Sequence, residues 1–174
     1  MIRSLLRPGL LLALSVVLLN CSKKEETPDA ATRVQGTWKL AGLNATPAIR
    51  VRTGSFTGSF SDLFPLVKVA YPCISDVTLT MAANTTQLNT PQGCTFTDFE
   101  AQQQLGVSFN GTYSITGNKL ELISSNSKVS TFDLTTSGNQ MTWAYDNRFV
   151  DPDAPTDATK AINSRVTITF EKVP

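Results

Sequence analysis

The chain has no histidine among its 174 residues. That removes the commonest general base and the commonest metal ligand together. Ser–His–Asp and Cys–His nucleophiles cannot be assembled from it. It has no glycine-rich phosphate loop. It has no excess of one charge: the formal net charge is +1, and no basic cluster argues for nucleic acid. It also lacks a long apolar run. The stretch Gly9 to Leu19, with Ser15 inside it, falls short of the about 20 residues that a spanning helix needs, and Pro8-Gly9 blocks its extension. The acidic residues do not make up the deficit. Asp151, Asp153 and Asp157, with Asp146 nearby, lack the glycine and terminal glutamate of a calcium loop and read as a solvated loop. Asp98 and Glu100 read as solvated carboxylates at alternate strand positions, not as a glycosidase pair. The expectation is a protein that is not an enzyme, with no cofactor and no metal site.

The first residues carry an address. Arg3 and Arg7 followed by a short apolar stretch match a secretory signal peptide, expected over residues 1–20. Leu18-Leu19-Asn20-Cys21 resembles a bacterial lipobox, in which the chain is cut before the cysteine and the cysteine is lipidated. Asn20 stands where that pattern usually has Gly, Ala or Ser. Lys24-Glu25-Glu26 resembles the signal by which Bacteroidota send lipoproteins to the outer face of the outer membrane. The resemblance implies a membrane attachment through Cys21 at the outer membrane, facing the surface or, alternatively, the periplasm. An ordinary signal peptide with an incidental cysteine is the other reading. Residues 21–33, charged and then rich in small residues, suit a flexible tether. Loss of Arg3 and Arg7 with the signal takes the formal charge from +1 to −1.

Residues 34–174 are of single-domain size, and most of them alternate apolar and polar side chains. Gly36–Leu43, Asp76–Met81, Val107–Thr116 and Arg165–Lys172 show the period of two most clearly; shorter strands are expected at Thr86–Thr90, Lys119–Ile123, Ser130–Thr135 and Gln140–Tyr145. Gly117-Asn118 and Ser137-Gly138-Asn139 are hairpin turn signals. Eight strands joined mostly as neighbouring hairpins predict an all-β, antiparallel up-and-down barrel, because closure removes the exposed edges.

An exported chain with two cysteines left after Cys21 is expected to join them. The strand pattern tests that expectation. A turn at Ala83-Asn84 sets Leu79 opposite Leu88 and Thr80 opposite Gln87; carried outward, the same register sets Cys73 opposite Cys94, within disulfide reach. Two segments do not read as strand. Asn44–Pro72 carries Phe56, Phe60, Leu63 and Phe64 at helix-like spacing, stopped by Pro65, and is expected to plug the barrel mouth. Asp146–Asn163 is polar and rich in Asp and Pro, as a binding loop would be.

Gly36-Thr37-Trp38 at the start of the first strand, the pair Cys73/Cys94, the run Gly111–Leu122 and the closing Val166–Lys172 together resemble the lipocalin-like domains of Bacteroidota lipoproteins. The resemblance implies an eight-stranded lipocalin-like (calycin) barrel and a tryptophan packed at its closed end under a cation from the last strand. Lys172 has the inward parity for that role, where lipocalins usually use arginine; Gly36, Trp38 and Lys172 form the expected barrel base. A barrel of this size either fills with side chains or holds one small ligand. Phe109, Tyr113, Met141 and Trp143 are the candidate ligand contacts inside, with Phe60 and Phe64 at the mouth; Gly42 and Gly111 would open space for the ligand. The leading expectation is a monomeric carrier or sensor of a small hydrophobic ligand. The alternative is a filled barrel whose loops bind a surface protein or glycan.

Overall fold

A computed structural model describes residues 29–174. Residues 1–28, with the expected signal peptide, Cys21 and the acidic export signal, lie outside the described residues. A short helix α1 (Ala30–Val34) leads into nine strands: β1 (Gly36–Thr53), β2 (Phe56–Asp62), β3 (Thr78–Met81), β4 (Thr85–Asn89), β5 (Gly111–Thr116), β6 (Lys119–Ser124), β7 (Val129–Ser137), β8 (Gln140–Phe149) and β9 (Ile162–Lys172). Two more helices, α2 (Phe64–Ala70) and α3 (Asp98–Leu105), lie between strands.

All neighbouring strands are antiparallel, in the order β2-β1-β3-β4-β5-β6-β7-β8-β9, and β1 also pairs with β9. That last pairing closes an eight-stranded barrel from β1 and β3 through β9. β2 is additional. The long β1 explains how this is possible. Its first residues pair with β3, from Gly36↔Met81 to Lys39↔Thr78. Its middle pairs with β9, from Trp38↔Lys172 to Thr46↔Arg165. Its last part leaves the barrel and pairs with β2, from Ile49↔Phe60 to Thr53↔Phe56. Pro47 sits at the handover, where a missing backbone donor disrupts neither ladder.

The predicted hairpin register holds: Leu79 faces Leu88 and Thr80 faces Gln87. Three expectations about local structure are corrected. The phenylalanine segment is not one helix. Phe56 to Asp62 is strand, and Pro65 stands in the first turn of α2, where its missing N–H costs nothing, so it starts a helix and does not stop one. Residues 107–110 are not strand; β5 begins only at Gly111, and Asp98 and Glu100 lie in the first turn of α3. Finally, a β-bulge between Leu40 and Gly42 reverses the facing of β1 beyond it, so Leu43 and Ala45 are buried while Gly42 faces Thr169.

The two ends of the barrel differ. At the closed end lie α1, the start of β1, the end of β9 and the turns at 82–84, 117–118 and 138–139. At the wide end lie the β1–β2 ribbon tip, a 3-10 turn (Pro72–Asp76), α3 and the 150–161 connection.

Candidate functional site

The barrel interior is the first place to look for a ligand. Trp143 is at its centre, with ring centroids 4.8 Å from Phe170, 5.5 Å from Phe132 and 5.8 Å from Phe109. Met141 and Trp143 are wholly buried, as are Leu120 and Ile168. A void of about 10 Å³ opens on this core, bordered by Leu40, Val77, Thr78, Leu79, Leu88, Phe96, Phe109 and Phe170. That is room for one water molecule at most. Of the residues expected to contact a ligand, only Phe109 borders this void. Tyr113 is buried at the closed end, its hydroxyl donating to the Ala82 carbonyl at 2.5 Å. Phe64 is buried against the core, and Phe60 is half-buried on the β2 ribbon, edge-to-face with Phe56. These residues do not converge on one site. Gly111 opens no space either: a Cβ there would meet the Ile123 carbonyl oxygen at 2.1 Å, so the glycine permits β5 and β6 to approach.

At the closed end, the three residues expected there come together. Trp38 is buried and its indole N–H donates to the Val34 carbonyl at 2.7 Å, so α1 is held to the barrel by the tryptophan. Lys172, the register partner of Trp38, puts its Nζ 5.4 Å from the ring centroid, within cation–π range. Gly36 makes room for it. A Cβ at Gly36 would lie 3.0 Å from the Lys172 Cε, and its φ of +132° is one that side chains rarely adopt.

At the wide end, long connections are pinned by single contacts. Cys73 in the 3-10 turn is bonded to Cys94, with Cα atoms 5.6 Å apart. The cysteines are opposed as the hairpin register required, although both strands end before reaching them. Tyr71 packs edge-to-face on Phe96 and donates to Glu100 at 3.0 Å; burial, then the Glu100 carboxylate, raises the Tyr71 pKa. Asp98 accepts hydrogen bonds from the Ser108 hydroxyl at 2.5 Å and from the N–H groups of Phe109 and Asn110 at 2.5 and 3.0 Å. It thereby fixes the segment that inserts Phe109 into the core. Thr97 caps α3 by accepting from the Glu100 N–H, and Gly106 ends the helix in the left-handed conformation. The hydroxyl of Tyr145 donates to the Leu105 carbonyl at 2.6 Å, and burial pushes its pKa well above the ordinary phenol range.

The acidic loop is tied down. Arg50 on the ribbon pairs with Asp151 at 2.9 Å and Asp153 at 2.5 Å, and Arg52 also pairs with Asp153. The Asp151 pKa is lowered, first by the Asp153 N–H that it accepts and then by Arg50. No three His, Cys, Asp or Glu side chains among the described residues are placed to share a metal ion. Large apolar side chains stay exposed here: Phe56 and Phe99 are each 62% exposed and Val69 77%. Among the described residues no helix is long and apolar enough to cross a membrane.

α3 was missed in the sequence although its signals are there. Thr97-x-x-Glu100 is a capping box and Gly106 a C-terminal stop. A family model, the lipocalin-like domain, matches residues 34–143, from the last residue of α1 to Trp143. No curated protein and no solved structure matches the chain.

Proposed function

We propose a function from one premise: the chain belongs to the lipocalin-like domain family, and its barrel is a filled, non-enzymatic scaffold that presents the wide end to a partner protein. The filled interior carries this reading. Its void of about 10 Å³ compares with about 300–1,000 Å³ for small-molecule sites. The exposed Phe56, Val69 and Phe99 give the wide end the apolar contacts that a protein partner buries.

Lipidation of Cys21 anchors the chain to the outer membrane, and Lys24-Glu25-Glu26 directs it to the outer face. In this reading the anchor is joined to the barrel through α1, at the closed end, which leaves the wide end free for a partner. The protein acts as a monomer and takes no nucleic acid.

A second reading, a small hydrophobic ligand held inside the barrel, is favoured by one observation. The indole N–H of Trp143 is buried in the core with no partner among the described residues, and an unpaired buried donor is costly; a ligand acceptor would satisfy it.

Native mass spectrometry of the protein extracted from membranes tests both. The expected result is the acylated chain alone. A stoichiometric apolar molecule carried through purification would favour the second reading. Cys21→Ser should abolish the acyl mass and release the chain from the membrane fraction; retention there would refute the anchor.

A further inference from the structure

The barrel wall is open at one seam. The β7–β8 ladder runs from Ser137↔Gln140 to Asp133↔Ala144 and stops, although β7 extends back to Val129 and β8 on to Phe149. Beyond the last rung β7 stays paired with β6, and β8 with β9. Each strand thus keeps one laddered edge and one open one. Antiparallel alternation says which groups are free. The Leu134 N–H donates to Asn118, so even-numbered β7 residues face β6, and the Thr131 N–H and C=O face the gap. The Lys172 N–H donates to Asn139, so odd-numbered β8 residues face β9, and the backbone of Asp146 faces the gap from the other side. Thr131 and Asp146 would form the next rung.

A groove of about 330 Å³ occupies the place of that rung. Its lining is mixed: Leu105, Phe132 and Tyr145 lie beside Ser130, Thr131 and Asn147, and of the three apolar side chains Leu105 and Phe132 are buried. Its rim carries opposite charges, Lys128 on one side and Asp146 on the other. The C-terminal turn of α3 holds the shape, through Tyr145 to the Leu105 carbonyl and Lys128 to the Gly106 carbonyl at 3.1 Å. Neither open edge carries a proline or a bulge, the usual protections of an edge.

We propose that this groove binds a short extended peptide, whose backbone adds to the open edge at Thr131 or Asp146. Its C-terminal carboxylate meets Lys128, its amine meets Asp146, and a side chain packs on the half-buried Tyr145. The volume, at the low end of ligand sites, limits the occupant to a few residues. Free edges confer affinity in this mode, and the side-chain floor confers selection. The site adds to the scaffold reading and does not depend on the wide-end partner. A copurified ligand inside the barrel would refute that reading and leave the groove untouched.

The test is a titration of the isotope-labelled mature protein with tri-leucine, followed by amide NMR shifts. Saturable shifts at 128–132 and 145–147 are expected, and about tenfold weaker binding by the C-terminal amide of the same peptide and by Lys128→Met. Thr131→Pro removes the donor of the next rung, so it should abolish binding with an unchanged far-UV spectrum. Lys128→Met, at an exposed position, keeps the test valid should the proline variant not fold. No saturable shift at millimolar peptide, shifts confined to the barrel interior, or equal binding by Lys128→Met would overturn the proposal.

Discussion

The two ends of this barrel are held by different means. The closed end is built from tight turns and one stack of three residues: Gly36 clears the space, Lys172 crosses it and Trp38 lies beneath. That stack joins β1 and β9, strands that are already neighbours. The wide end carries the longest connections, and those have no periodic apolar face to bury. They are pinned by links outside the strand ladders: a disulfide, the Asp98 carboxylate, and the Arg50–Asp151–Asp153–Arg52 network. A connection without its own core needs a specific link for each segment, whereas a strand end needs only its register.

That contrast can be tested by removing the links in turn. The largest effect is expected from Trp38→Ala, a buried aromatic truncation costing about 3–5 kcal/mol, seen as a lower denaturant midpoint for the whole domain. Loss of the disulfide in a Cys73→Ser/Cys94→Ser variant should cost about 2–4 kcal/mol. Hydrogen exchange should then rise first in residues 72–105, with the closed-end turns still protected; equal loosening at both ends would erase the distinction drawn here. Lys172→Met should cost about 0.5–1 kcal/mol, as for an exposed cation over a ring, and an unchanged melting temperature would show that the lysine contributes nothing to the stack. The smallest effect concerns pH. The pKa of Asp151 is lowered in the fold, so its contribution to stability is present above the unfolded aspartate value of about 3.9 and fades as the pH falls through its folded value. Asp151→Asn should flatten the melting curve's pH dependence in that acid window and leave neutral pH nearly unchanged.

The barrel was legible in the sequence because a period of two is a direct report of one buried face. The hairpin register of β3 and β4 followed from aligning Leu79 with Leu88; the Cys73–Cys94 bond that it pointed to is present, but a 3-10 turn, not an extended strand, carries Cys73 to its partner. What was misread has physical causes. Phe56 and Phe60 are four residues apart, a spacing that fits a helix turn and a strand face equally well. Pro65 was taken as a helix stop because a proline ends a helix from within, but in the first turn it begins one. The bulge after Leu40 shifts the facing of everything beyond it, and alternation alone cannot reveal it. The filled interior was not legible either: whether large side chains leave a hole depends on how they interlock, and Trp143, Phe109, Phe132 and Phe170 do.

β1 belongs to both halves of the molecule, and this has a mechanical consequence. It begins beside α1 and ends at the ribbon tip. A pull between the two ends of the barrel would run along its axis. With both points of attachment on one strand, the tension would be carried by the covalent backbone of β1, and its rungs to β9, from Trp38 to Thr46, would bear little of it. A single continuous strand thus links the two ends of the barrel without loading the seam that closes it.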